Sequence, residues 1–288
     1  MKFGIAFGNV IGFDSLDGLQ TLARSAEDSG FESVWTVEHV IFPDAYESTY
    51  PYDPSGKMPM SADLPMPDPL VWLSFVAAAT TTLRLGTGIL ILPQRNPVVL
   101  AKEVATLDAL SGGRVELGIG VGWLEEEFDA LGIPFARRGA RNDDYVAAMR
   151  ALWDSDSAEH HGEFTSFSGV SVNPKPVNGR VPVHVGGHTR RAAERAGVLG
   201  DGFFPVTGNV AELIDVMRQT AADAGRDPSA IEVTYGNADV MGDDPVGAVQ
   251  ELEALGVDRI VVPSFIFFGD VPELVGEFAE RVIVPSSR

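Results

Sequence analysis

The sequence predicts an α/β fold: a (β/α)8 TIM barrel, formed as a single domain over residues 1–288, with long loop insertions at its C-terminal face. Three observations predict it. Short, near-continuous apolar runs recur along the chain, helical patterns with start and stop signals lie between most of them, and no break in composition separates one region from another. At 288 residues and 45% hydrophobic, the chain can bury one large core. A doubly wound open sheet uses the same units. The barrel is preferred because the units continue to the C-terminus and leave no second domain's worth of residues.

The strands are expected at Phe3 to Phe7, Val34 to Val37, Leu85 to Leu92, Val115 to Val121, Val181 to Val185, Phe203 to Val206 and Ile260 to Val262, with Ile231 to Tyr235 as a weaker eighth. Runs of this kind suit strands covered on both faces, as in a parallel sheet. The first helix follows Asp14-Ser15, repeats Leu16, Leu19, Ala23 and Ala26 at helical spacing, and stops at Gly30. Asp68-Pro69, Asn96-Pro97 and Asp244-Pro245 each set a capping side chain before a proline suited to the first helical position. Ser111-Gly112-Gly113 and Gly256 close two of these helices, and the last helix is expected over 271–282.

Two segments are too long for ordinary connections. Residues 40–67 hold six prolines, three of the five Tyr and three of the seven Met, which predicts a large active-site loop. Residues 155–180 read as an extended insertion with turns at His161-Gly162 and Ser168-Gly169. A packing lid without chemistry is the plainer reading of both.

A formal charge of −20 argues against a nucleic-acid partner and against anionic membrane surfaces. No cysteine is present, so disulfides and thiolate metal sites are excluded. No pair of histidines has metal-ligand spacing, and no metal is expected. The N-terminal MKFGIAFGNV lacks the apolar length of a signal peptide and no apolar run reaches the roughly 20 residues of a membrane span, so a cytoplasmic location is expected.

Several stretches carry candidate chemistry. In VPVHVGGHTRRAAERAG (181–197) a strand ends at Gly186-Gly187 and a helix starts near Thr189, an arrangement that aims N–H groups at one point and suits a phosphate. His188, Arg190 and Arg191 adjoin it. The alternative is a tight turn in which Thr189 caps the helix and Arg190 pairs with Glu194. GIGVGW (118–123) lacks the spacing of a dinucleotide fingerprint. It suits a flat ring lying against bare backbone at Gly120 and Gly122 with Trp123 at its edge, or glycines that relieve crowding inside a barrel. LGTGILI (85–91) marks a bulge, a close approach by a ligand, or only a kink. His39 ends the second strand just before the long loop, where a barrel places catalytic side chains; a structural histidine is the alternative. His184 reads as core, and His160-His161 as solvated loop. The run ARRGAR (136–141) is a local positive patch whose arginines are also placed to pair with nearby carboxylates.

Taken together, the Thr87-Gly88-Ile89 strand, RNPVVLAKEVATLDALSGGRVELGIGVGW (95–123), PVHVGGHTRRAAERAG (182–197) and DGFFP (201–205) resemble the luciferase-like monooxygenase superfamily. They are most similar to its short, actinobacterial-type members that use the deazaflavin coenzyme F420 rather than FMN. The resemblance implies a coenzyme across the C-terminal mouth of the barrel, backed by a non-prolyl cis peptide near Gly88-Ile89. It implies a catalytic role for His39, with Glu38 as its neighbour. The implied cofactor contacts are Thr87, Gly88, Ile89, Gly120, Gly122, Trp123, Gly186, Gly187, His188, Thr189 and Arg190, although His188 and Arg190 depart from the smaller residues of many members. No acidic residue ends the GIGVG strand, so the glutamate acid of sugar-phosphate-oxidising relatives is not evident. The implied activity is hydride transfer between F420 and a small organic substrate. FMN-dependent monooxygenation and a non-catalytic F420 carrier are the alternatives, and a homodimer is the assembly many relatives adopt.

Overall fold

A computed structural model describes residues 1–286. Eight parallel strands close into a barrel: β1 (Lys2–Ala6), β2 (Ser33–Thr36), β3 (Arg84–Thr87, resumed at Leu90–Ile91), β4 (Val115–Gly120), β5 (Val183–Gly186), β6 (Gly202–Phe204), β7 (Glu232–Gly236) and β8 (Arg259–Pro263). β1 pairs with both β2 and β8, and every neighbour in between is hydrogen-bonded in parallel. The expected eighth strand is thus present one residue later than its apolar run.

Eight helices alternate with the strands on the outside: α1 (Leu16–Asp28), α2 (Pro69–Ala79), α3 (Pro97–Ser111), α4 (Arg138–Asp154), α5 (Arg190–Leu199), α6 (Val210–Asp223), α7 (Pro245–Leu255) and α8 (Val271–Phe278). The three Asx-Pro starts behave as their chemistry requires. Asp68 Oδ1 accepts from the N–H groups of Leu70 and Val71 at 2.9 and 3.0 Å, Asn96 does the same for Val98 and Val99, and Asp244 accepts from Gly247. α8 runs on through a π-helical turn, Ala279–Ile283, so the last helical segment extends past residue 282. The 155–180 insertion is a hairpin of Ala158–His161 against Ser166–Val170. His161-Gly162 is its turn, but Ser168-Gly169 lies inside the second strand, where a positive φ of 64° at Gly169 accompanies an irregular register. His160 is not solvated loop either: it is half-buried, with Nε2 2.6 Å from Asp144.

β3 is broken because it carries one residue more than its neighbour. Leu85 pairs with Val115 and Leu90 with Ile119, an advance of five residues against four. The extra residue falls at a cis peptide between Gly88 and Ile89.

Inside the barrel, fully buried Trp35 fills the axis, its indole N–H donating to Ser33 Oγ at 2.9 Å. A Cβ on Gly86 would lie 2.3 Å from the Trp35 ring, and one on Gly118 would lie 1.8 Å from the Thr87 carbonyl oxygen. These two glycines serve packing. The floor of the barrel, at the N-terminal ends of the strands, is ionic: Arg259, with no exposure, is held by Glu32 at 2.8 and 3.0 Å, by Glu232 and by Thr234 Oγ1. Beside it Glu116 binds Arg84 and, at 2.6 Å, His184 Nε2. His184 is therefore core, as expected, but paired.

Candidate active site at the mouth of the barrel

The opposite end of the barrel opens into a cavity of about 490 Å³. Its walls come from the C-terminal ends of β1 to β6, the face on which barrels of this type carry their active sites. Ile89 forms the base. Its side chain occupies the space that Cβ atoms on Gly120 and Gly186 would need, lying 2.5 Å from each ideal position. The bulge thus supplies the side chain and the two glycines supply the room for it. Gly122, at φ 77°, accepts from Arg138 Nε at 3.0 Å.

At the end of β5, Gly187 takes φ 138° and leads into Thr189, whose hydroxyl accepts from Ala192 N–H at 3.2 Å to cap α5. Gly186, Gly187, His188 and Thr189 all line the cavity. The start of α5 therefore points its positive end and first-turn N–H groups toward the same space. Burial pulls the His188 imidazole below its ordinary range, which favours its neutral form.

His39, at the end of β2, shares this cavity. Its Nδ1 lies 3.1 Å from Oε2 of Glu127, which has no exposure, while Glu127 Oε1 accepts from the N–H groups of Val40 at 2.6 Å and Ile41 at 3.3 Å. An ionised carboxylate only accepts, so in neutral His39 the proton belongs on Nδ1 and Nε2 keeps its lone pair. Nε2 has no partner among the described residues.

The long loop closes over the cavity. Asn9, fully buried, accepts from Val37 N–H at 2.8 Å and donates to the carbonyls of Val37 and Pro67 at 2.9 Å, so one side chain pins both ends of the loop. A series of edge-on rings then crosses the mouth, from His39 to Trp123, Tyr50, Tyr52 and His188, with centroids 5.0 to 5.8 Å apart. Each such pair contributes roughly 0.5–1.5 kcal/mol beyond its buried area. Burial, with Tyr50 alongside, pushes the Tyr52 phenol up to about 12, so it remains a hydrogen-bond donor at neutral pH.

A second tether holds the loop from the far side. Glu126 Oε1 accepts from the N–H groups of Glu47 at 2.6 Å and Ser48 at 3.1 Å. Burial pushes the Glu126 carboxyl up, but the Ser48 hydroxyl and these N–H groups outweigh it and hold it down at about 2. Since the folded value lies below the ordinary 4.5, this tether is at full strength above about pH 4.5 and weakens as pH falls toward 2. Glu126→Ala is expected to speed proteolytic cleavage within 43–64 at neutral pH several-fold while leaving the global melting midpoint within about 2 °C. Equal cleavage rates in both proteins would remove Glu126 from loop docking.

Three expected site residues are placed differently from the implied roles. The Thr87 hydroxyl is buried and donates to Gly118 O at 2.6 Å, away from the cavity. Arg190 lies outside the cavity and pairs with Glu194 at 2.9 Å, as the capping alternative requires. Glu38 lines the cavity, but both of its oxygens are occupied: Oε1 accepts from Arg95 and Oε2 from Ile91 N–H. Burial pushes this carboxyl up while Arg95 pulls it down. The balance is upward, the Asp68 carboxylate adding to the effect of burial, and Glu38 anchors the return of β3 through both of its oxygens.

The patch at 136–141 divides. Arg137 pairs with Glu163, Arg141 donates to Pro134 O and stacks on Phe164, and Arg138 lines the cavity, its guanidinium 3.7 Å from the Phe135 ring centroid. Phe7, Asn9 and Glu127 were not singled out from sequence, and Arg138 only as part of the ARRGAR patch. For Glu127 a signal was present in the acidic triplet 125–127 just after Trp123; for Phe7, with φ 58° at the end of β1, the sequence holds none.

The fold and this mouth define a (β/α)8 barrel with a cavity under a tethered lid at the C-terminal ends of its strands. The chain belongs to the family described as luciferase-like monooxygenase, which it matches over residues 1–265. It is 32% identical over 224 residues to an F420-dependent glucose-6-phosphate dehydrogenase of Mycolicibacterium gilvum, covering 74% of this chain and 62% of that one. Among solved structures, it superposes on an F420-dependent secondary alcohol dehydrogenase in complex with an F420-acetone adduct with a TM-score of 0.79 at 20% identity, covering 100% of this chain and 99% of the other. It also superposes on a riboflavin lyase with modified FMN, with a TM-score of 0.74 at 17% identity over 96% and 91% of the two chains. The last two likenesses bear on fold alone. Among the described residues no helix is long and apolar enough to cross a membrane.

Proposed function

We propose that the protein is a coenzyme F420-dependent oxidoreductase acting on a small organic substrate. The observation that carries this reading is the bulge: it delivers Ile89 into the space left by Gly120 and Gly186, in the same cavity as the α5 N-terminus and His39. A cavity of about 490 Å³ falls within the roughly 300–1,000 Å³ usual for cofactor and ligand sites. The residues fit the coenzyme in kind. Ile89, Gly120 and Gly122 would back its ring, with Trp123 at the edge; Gly186, Gly187, His188 and Thr189 would take its phosphate.

When bound, the deazaflavin supplies or accepts a hydride. The protein's own part is orientation, exclusion of water and control of one proton. His39 Nε2, free to accept, takes the proton of an alcohol being oxidised or, once protonated, returns it to a carbonyl being reduced. Glu127 fixes the ring at Nδ1 and balances the charge while the proton is held. The lid rings keep solvent from the cavity.

FMN-dependent monooxygenation on the same fold is the second reading, since the same wall and helix end suit either ring. Titration of the purified protein with each coenzyme, followed by absorbance and fluorescence, separates them: saturable F420 binding is expected, and tight FMN binding with none for F420 would overturn the proposal. Turnover of reduced F420 with a panel of carbonyl and alkene substrates distinguishes an enzyme from a carrier.

A further inference from the structure

A second, smaller chamber of about 170 Å³ lies beneath the lid. Leu64 and Phe42 line it alone, while Met58, Met60, Met66 and His39 line both it and the larger cavity. No Asp, Glu, Lys or Arg side chain contributes to its wall. Met66 is held in place by a contact with the reacting region itself: its sulfur accepts from the His39 N–H at 3.1 Å.

We propose that this chamber binds the apolar body of the substrate, an uncharged group the size of one ring or a short branched alkyl chain, so that its hydroxyl or carbonyl end meets His39. This rests on the reading of His39 given above. The size argument is direct, since a dry cavity of about 150 Å³ accommodates one benzene molecule. The chemistry of the wall agrees. A charged group would lose its hydration there with no opposite charge among the lining groups other than His39, whereas unbranched, polarizable methionines adapt their rotamers to ligands of differing shape and make favourable contacts with aromatic edges. Sugar phosphates are accordingly not expected inside this chamber.

Seven methionines give the test an internal control. The full chain, labelled with ¹³C at the methionine methyl groups, is titrated with toluene and separately with benzoate, with and without F420. With F420 filling the larger cavity, which the same three methionines also line, toluene is expected to shift the signals of Met58, Met60 and Met66, assigned through Met→Leu variants, and to leave Met149, Met217 and Met241 in place. Benzoate is expected to shift none of the six. Leu64→Trp, which touches only the small chamber, should weaken toluene binding about tenfold or more by filling the space, with F420 affinity retained. Unmoved signals at 58, 60 and 66, equal shifts with benzoate, or undiminished toluene binding in Leu64→Trp would each overturn the proposal. Failure of the toluene shifts with F420 binding intact removes the chamber alone. Toluene shifts without F420 binding remove the coenzyme reading alone.

Discussion

Replacing His39 with alanine is expected to lower turnover about 10- to 100-fold while leaving coenzyme affinity nearly unchanged. The expectation follows from the division of labour at the mouth. The proposed ring wall and anion end are built from β3, β4 and α5, none of which depends on His39, whereas among the described residues His39 alone presents an unpartnered ring nitrogen to both cavities. Glu127→Gln is the informative companion, because it keeps the shape of the side chain and offers His39 Nδ1 a neutral partner. If His39 carries the proton, the pH dependence of kcat should move in the Glu127→Gln variant, while a purely structural role would alter only stability. Unchanged turnover in His39→Ala would remove this residue from the mechanism.

Arg259→Met should destabilise the folded chain by about 3–5 kcal/mol. Arg259 is enclosed at the barrel floor, 5.1 Å from the Trp35 ring centroid, and holds Glu32 and Glu232 together across β8, β7 and the approach to β2. Removing it leaves Glu32 and Glu232 with only the more exposed Arg84 and Lys2 as cationic partners. Urea unfolding checks this, the midpoint falling with the slope conserved. A loss below about 1 kcal/mol would mean that water reaches the floor and screens the charges. The same network sets an acid limit. Burial pushes the Glu116 carboxyl up, but His184 and then Arg84 outweigh it and hold it down at about 2. Its contribution is therefore complete above about pH 4.5 and lost as pH falls toward 2.

Much of the frame was legible because it is written in local chemistry. Asp68-Pro69, Asn96-Pro97 and Asp244-Pro245 each combine a side-chain acceptor with a fixed φ, and both act within three residues. The position of the cis peptide and the nearness of Gly187 to the mouth followed from a resemblance carried by contiguous segments. The rest depends on contacts between residues far apart in the chain. Glu127 meets His39 across 88 residues and Asn9 meets Pro67 across 58, and no local pattern encodes such pairs. The glycines show a subtler limit. Ligand approach and relief of crowding were both reasonable for Gly120, yet the space is taken by Ile89, a side chain delivered from the neighbouring strand by its extra residue. The implied role of Arg190 did not carry into space because a salt bridge within its own helix was nearer than the cavity.

Asn9 gives the lid an independence of its own. Because Val37 and Pro67 are fastened to the same buried amide, the two ends of the loop are set beside each other independently of the Glu126 tether and ring contacts along its length. Doubling a loop closed in this way adds only about 0.6 kcal/mol of closure entropy. A cap of different length closed on the same amide would then meet the same two anchor points on the barrel.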